Sequence, residues 1–131
     1  MTTTVVTGAN RGLGLEFVRQ CLDRGDEVIA GCRNPAEATD LMELGPTKIL
    51  SLDVGHEESI EQFAAAIDDH VDLLINNAGT SATNLGLERG SAGVLNAPVD
   101  LTLDLIRING LSAASMTRGL LDCLGEGSQV A

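Results

Sequence analysis

The chain has 131 residues, about the length of one domain, and 44% of them are hydrophobic, which is enough for a packed core. A formal charge of −11 excludes proteins that bind nucleic acid through clustered Lys and Arg. No apolar run reaches the length of a membrane span, and no signal-like cationic flank opens the chain. We therefore expect a cytoplasmic protein without membrane contact.

The three cysteines agree with that expectation. Cys21, Cys32 and Cys123 are widely spaced and lack the CxxC pairing of zinc and redox sites. We expect buried thiols in a reducing compartment and no metal site.

Strand and helix patterns alternate along the chain. Apolar runs predict strands at residues 3–7, 27–31, 48–52 and 71–75, and helical periodicity predicts helices at 13–24, 57–70 and 101–124. On the first helix, Phe17, Val18, Cys21 and Leu22 form one apolar stripe that we expect to be buried.

Three further segments complete the pattern. A short helix is predicted to begin at Pro35 with Asn34 as its cap, and to stop at Gly45. The Gly- and Ser-rich stretch 80–99 predicts a long loop that could cover a ligand. Residues 128–131 resemble the start of a fifth strand, so the chain is expected to stop within that element.

This alternation favours an α/β fold with a doubly wound parallel sheet. Right-handed helical crossovers predict the strand order 3-2-1-4, with the barely begun fifth strand beside the fourth. Ligands of such sheets bind beyond the carboxyl ends of the strands. Gly8, Arg33, Asp53 and Asn76 each follow one of the first four strands, so all four are expected at that edge.

A glycine-rich turn joins the first strand to the first helix. Gly8 permits the sharp turn, Gly12 lets backbone amides approach a pyrophosphate, and Gly14 allows close contact between helix and strand. A turn of purely structural purpose is the alternative. The strand-turn-helix context favours a dinucleotide pocket.

Two motifs carry a resemblance to a known family. The run TGANRGLG at residues 7–14 and the run NNAG at 76–79 resemble those of short-chain dehydrogenases/reductases, over the whole chain. The segment 31–34 is most similar to carbonyl reductases of the sniffer and C-factor type. The resemblance implies one NAD(P)-binding Rossmann domain of an oxidoreductase that moves hydride between a nicotinamide and a small carbonyl or alcohol, with a homo-oligomer as an option.

The same resemblance assigns cofactor contacts. It implies that Asn10 and Leu13 line the phosphate turn, that Asp53 and Val54 contact the adenine, that the stretch from Asn76 to Gly79 steadies the sheet, and that Ala78 and Gly79 face the ribose. A carboxylate that caps the following turn and helix is the open alternative for Asp53.

Cofactor choice depends on the end of the second strand. An NAD-selective site places Asp or Glu there, whereas this chain has Cys32 followed by Arg33. Arg33, helped by Arg11 in the glycine turn, favours the 2′-phosphate of NADP(H) over NAD(H). Asp26 and Glu27 lie at the wrong end of the strand, and Arg33 as a solvated surface charge remains the alternative.

The chain contains only part of the catalytic residues that the resemblance implies. The resemblance assigns a catalytic role to Asn109 on the long helix, but the chain has no tyrosine, and no counterpart of the family's catalytic Ser or Tyr-x-x-x-Lys. Lys48 begins the third strand, and His56 and His70 are expected on the surface. We therefore expect a domain truncated before those residues and inactive alone; the alternative is a non-catalytic dinucleotide-binding or interaction module.

Overall fold

The computed structural model describes residues 1–88 and 96–131. Its sheet has five parallel strands in the order β3-β2-β1-β4-β5. The strands are β1 Thr3–Thr7, β2 Glu27–Cys32, β3 Lys48–Ser51, β4 Leu73–Ile75 and β5 Gln129–Val130. The helices are α1 Gly12–Arg24, α2 Thr39–Leu44, α3 Glu57–Ala65, α4 Val99–Ile106 and α5 Ser112–Gly119. The doubly wound α/β fold and its strand order are confirmed, with β5 beside β4.

Two apolar clusters cover the two faces of the sheet. Successive residues of β1 point to opposite faces, so Val5 packs with Ile29, Leu74, α3 and α5, while Val6 packs on the other face with α1 and α2. The predicted stripe of α1 is half right. Val18 and Cys21 are buried, but Phe17 is exposed, since it lies at the edge of the stripe.

Several predicted helix bounds are wrong. The helix predicted to reach residue 70 ends at Ala65, where Ala66 and Ile67 donate instead to carbonyls three residues back. Asp68 and Asp69 would place negative charge at the negative end of a longer helix, which is unfavourable. Strand β4 accordingly begins at Leu73 rather than at residue 71.

The predicted helix at 35–44 is divided. Pro35–Glu37 forms a 3₁₀ turn and α2 follows from Thr39, because the backbone of Ala38 is not helical. The side chain of Asn34 makes no capping hydrogen bond. Gly45 ends α2 in the left-handed conformation, as the glycine signal indicates.

The long helix predicted at 101–124 runs without a break from Val99 to Gly119 and contains a π-helical turn. Between α4 and α5, residues Arg107–Leu111 form a wider π-helical turn, and α5 ends at Gly119. Glycine has low helix propensity. The predicted loop 80–99 contains turns at 82–86, and its residues 89–95 lie outside the described part of the chain.

No helix within residues 1–88 and 96–131 has the length and apolar character needed to cross a membrane. Cys21 and Cys32 are buried and Cys123 is half-buried, all as free thiols. His56 and His70 are exposed, as expected.

A buried carboxylate joins β1, β2 and the end of α1. Asp26 is buried between them; it accepts a hydrogen bond of 2.8 Å from the Thr4 hydroxyl and pairs with the Arg24 guanidinium. Its hydrogen bond with Arg24 holds the pKa of Asp26 below its usual value. Asp26 therefore has a structural role at the amino edge of the sheet, far from the carboxyl edge.

Replacing this carboxylate should destabilise the fold in a pH-dependent way. We expect Asp26→Asn to lower the free energy of unfolding at pH 7 by about 1–3 kcal/mol, since it removes charge-assisted hydrogen bonds from a buried site. Because the folded-state pKa of Asp26 is lowered, its contribution is present above the unfolded pKa of about 4 and is lost as the pH falls through the folded value. The difference in the free energy of unfolding between variant and wild type should therefore decrease at acidic pH.

Urea unfolding monitored by circular dichroism measures this difference at several pH values. Asp40→Asn on the exposed surface of α2 is the matched control and should change stability by less than about 0.5 kcal/mol. Equal stability of the two variants at pH 7 would contradict a stabilising role for Asp26.

Candidate functional site

A groove of about 570 Å³ lies at the carboxyl edge of the sheet. It is formed by the turns that follow β1 to β4, together with a residue of the π-helical turn. Its lining comprises Gly8, Asn10, Arg11, Gly12, Leu13, Cys32, Arg33, Asn34, Glu37, Leu52, Asp53, Val54, Asn77, Ala78, Gly79, Thr80, Leu85 and Ile108. Ten of the thirteen residues assigned from the sequence lie in this list; Gly14, Asn76 and Asn109 do not.

Thr7 and Asn77 fasten the glycine turn to the end of β4. The buried Thr7 hydroxyl accepts hydrogen bonds from the backbone amides of Asn77 and Ala78, at 3.0 and 2.9 Å. In return the Asn77 side-chain amide donates to the carbonyl oxygens of Thr7 and Gly8, at 3.1 and 3.2 Å. We call these four hydrogen bonds the Thr7–Asn77 clamp.

The clamp leaves no room for side chains on two glycines. A Cβ on Gly8 would lie 2.9 Å from the Ala78 Cα, and one on Gly14 would lie 2.0 Å from the Gly8 carbonyl oxygen. Gly14 therefore lies beneath the turn and acts in packing. Gly12 has φ of +55° with open space around it, so its absent side chain keeps the groove surface accessible.

Polar and apolar groups meet at the ends of β2 and β3. Val54 and Asp53 both line the groove, and Asp53 Oδ1 accepts a 3.0 Å hydrogen bond from the Gly55 amide. The alternative left open for Asp53 is thus present for the turn but not for α3, whose first turn receives no side-chain cap from His56, and Asp53 also lines the groove. Burial raises the pKa of the Cys32 thiol, so this side chain adds no charge to the wall at neutral pH.

Two arginines line the groove without partners among the described residues. In the described ranges, Arg19, Arg24, Arg107 and Arg118 all pair with carboxylates. Over the same residues, Arg11 and Arg33 make no ion pair and no side-chain hydrogen bond, and both line the groove. In a chain with 19 acidic residues, this leaves two positive charges facing one cavity.

Asn76 directly follows β4, as the sequence predicts, but it does not line the groove. Its backbone amide donates to the Ala131 carbonyl at 2.8 Å, and it borders α5 and β5 instead of the groove. Its buried Oδ1 has no hydrogen-bond partner within the described residues. The neighbouring Asn77, which the sequence placed in the stretch that steadies the sheet but not among the cofactor contacts, provides the side chain that joins two strand ends.

Asn109 lies in the π-helical turn and reaches across to the segment after β4. Its Oδ1 accepts from the Thr80 amide at 2.7 Å, and its Nδ2 donates to the Thr80 carbonyl at 2.8 Å. The adjacent Ile108 lines the groove, and its carbonyl accepts from the Ser112 hydroxyl at 2.6 Å. The Asn109 side chain thus holds the backbone of a groove residue and does not itself line the groove.

Sequence reasoning missed several groove residues. Leu85 and Ile108 come from segments without a recognisable motif. Sequence reasoning also assigned no role to the Thr7 hydroxyl, which is buried and acts in the clamp outside the groove lining. Glu37 could have been noticed as a carboxylate shortly after the second strand. Either Asn76 or Asn77 could point toward the glycine turn. The choice depends on the residue at which β4 ends, and the apolar run alone does not specify that residue.

A larger groove of about 940 Å³ lies beside the start of α3 and contains none of the residues assigned from the sequence. The Glu57 carboxylate crosses one end and pairs with Arg118 at 3.0 Å while accepting from the Ser115 hydroxyl. These contacts lower the pKa of Glu57. Across residues 1–88 and 96–131, no group of three or more His, Cys, Asp and Glu side chains is placed to hold a metal ion.

Residues 2–130 match the short chain dehydrogenase family. The chain is 33% identical to human dehydrogenase/reductase SDR family member 13, over 93% of this chain and 32% of that protein. It is 32% identical to 1-hydroxy-2-glutathionyl-2-methyl-3-butene dehydrogenase of Rhodococcus sp. strain AD45, over 99% of this chain and 54% of that protein. The chain spans about a third to a half of the length of these two relatives.

A solved structure of a similar protein has the same fold as this chain. A short-chain dehydrogenase/reductase from Burkholderia multivorans with bound NADP superposes with a TM-score of 0.84 at 26% identity. The match covers 98% of this chain and 56% of that one. The likeness therefore extends from the motifs to the whole described fold.

Proposed function

The chain belongs to the short chain dehydrogenase family, and we propose that it is the NADP(H)-binding domain of an oxidoreductase that acts on a small carbonyl or alcohol. The two unpaired arginines of the groove are the observation that carries the choice of cofactor. A guanidinium matches the geometry of a phosphate and keeps its charge at every physiological pH. The Burkholderia relative contains NADP, which agrees with the proposal.

The groove residues fit such a dinucleotide. Gly8, Gly12 and Asn10 would hold the pyrophosphate near the start of α1, where backbone amides and the helix dipole favour negative charge. Arg11 and Arg33 would hold the 2′-phosphate. Val54 would contact the adenine, and the carboxylate of Asp53 can accept from the adenine amino group.

The far end of the groove would receive the ribose and the nicotinamide. Ala78 and Gly79 line this wall, and Asn109 keeps it in position through the backbone of Thr80. We therefore assign Asn109 a positioning role in the proposed site. The nicotinamide supplies the hydride, and the protein orients it against the carbonyl.

The proposal also includes a homo-oligomeric assembly and a cytoplasmic location. Val99, Leu103 and Ile106 expose apolar side chains along α4, which favours association into a homo-oligomer. The three free thiols suit the reducing environment of the cytoplasm.

Cofactor titration tests the arginine assignment. We expect Arg33→Ala to weaken NADPH binding about tenfold while changing NADH binding less than about twofold, because only NADPH carries the 2′-phosphate. Fluorescence titration of the reduced nicotinamide measures both dissociation constants.

Arg19→Ala is the matched control, since Arg19 is an exposed arginine of α1 that pairs with Glu16 and Asp23 away from the groove. It should leave both dissociation constants unchanged. Equal affinity of the wild type for NADH and NADPH, or no effect of Arg33→Ala, would reject the NADP(H) preference.

The second candidate function is a dinucleotide-binding module without catalysis, which is favoured by the absence of tyrosine from these 131 residues. A general acid is needed to protonate the alkoxide as hydride arrives. Lys48, the only lysine, pairs with Asp69 near the start of β3, away from the groove. Neither residue type is therefore available in the groove to complete the proton transfer.

For this reason we expect the 131-residue chain to bind NADPH without turning over a reactive carbonyl such as an aromatic aldehyde, whose alkoxide product must be protonated. Nicotinamide absorbance followed over time measures turnover, and titration of the same sample measures binding. Steady-state oxidation of NADPH that requires the folded chain would show that another group supplies the proton.

A further inference from the structure

The groove proposed for the cofactor contains charges of both signs that have no partner among the described residues. Glu37 lines the groove with Arg33, yet in the described part of the chain its carboxylate makes no ion pair and no side-chain hydrogen bond. Asp53, the other acidic residue of the lining, is engaged by the Gly55 amide. Among the described residues, Glu37 is thus an unpaired negative charge in the groove that Arg11 and Arg33 also line.

Local structure holds Glu37 against the groove. Pro35 begins the 3₁₀ turn, and the Glu37 amide donates to the Asn34 carbonyl at 3.1 Å. The next residue, Ala38, donates to the Pro35 carbonyl at 3.2 Å, and its side chain is buried in the core beside α2. The backbone is therefore anchored on both sides of Glu37, which keeps this exposed residue at the groove.

The two dinucleotides respond differently to a carboxylate. An Asp or Glu about twenty residues beyond the glycine turn can accept a hydrogen bond from the ribose 2′-hydroxyl of NAD(H), whereas arginine accommodates a 2′-phosphate. Glu37 lies at about that separation from Gly14. The charge of a 2′-phosphate would be attracted by Arg11 and Arg33 and repelled by Glu37.

On the basis of the proposed cofactor site, we propose that Glu37 is a specificity-determining residue that weakens the preference of the groove for NADP(H) over NAD(H). The arginines supply the attraction for the phosphate, and the carboxylate limits it. The groove would therefore accept both cofactors, with NADP(H) bound more tightly.

Neutralising this carboxylate should sharpen the preference. We expect Glu37→Gln to tighten NADPH binding about threefold, since it removes a partly solvated like charge, and to leave NADH binding unchanged or weaker. The ratio of the two dissociation constants should rise about threefold at low salt and approach the wild-type ratio in concentrated salt, where charges are screened.

Glu43→Gln is the matched control. Glu43 is an exposed residue of α2 outside the groove, so this variant makes the same change in net charge. It should leave the ratio unchanged, and melting curves of both variants check that the fold is intact. An unchanged ratio in Glu37→Gln, or an equal change in both variants, would overturn the role of Glu37.

Different experimental results would reject the role of Glu37 and the proposed function. If the wild-type chain binds neither nucleotide, both are rejected. If it binds NADPH and Arg33→Ala weakens that binding while Glu37→Gln leaves the ratio unchanged, only the role of Glu37 is rejected.

Discussion

The Thr7–Asn77 clamp is the contact on which the site depends. Strands β1 and β4 are neighbours in the sheet although about seventy residues separate them in the chain. The clamp satisfies two carbonyls and two amides just where both strands end and the ladder of backbone hydrogen bonds stops. It therefore fixes the glycine turn and the NNAG segment relative to each other before any ligand arrives.

The distribution of charged side chains determines which ligands this groove can attract. The chain is strongly acidic, and four of its described arginines form ion pairs with carboxylates: Arg19, Arg24, Arg107 and Arg118. Arg11 and Arg33 have no ion pair within the described residues and lie at one edge of the sheet, where Glu37 also lines the groove. A polyanionic cofactor would find a locally favourable site on a protein that otherwise repels it.

The alternating apolar pattern and the two glycine-containing motifs predicted the strand order and the edge at which ten assigned residues meet. They could not predict tertiary effects. The π-helical turn around Asn109 accompanies hydrogen bonds to Thr80, which is distant in the chain. Likewise, Asn76 and Asn77 are equivalent in the pattern, and only the end of β4 decides which of them reaches Gly8.

The most direct measurement is NADPH affinity in Asn77→Ala compared with Asn76→Ala. We expect Asn77→Ala to weaken binding about tenfold or more, because two carbonyls lose their donor and the glycine turn loosens. Asn76→Ala removes an amide whose Oδ1 has no partner in the described residues and which lies outside the groove. It should bind within about twofold of the wild type. If folded Asn77→Ala, checked by circular dichroism, bound NADPH as tightly as Asn76→Ala, the clamp would not be what shapes the site.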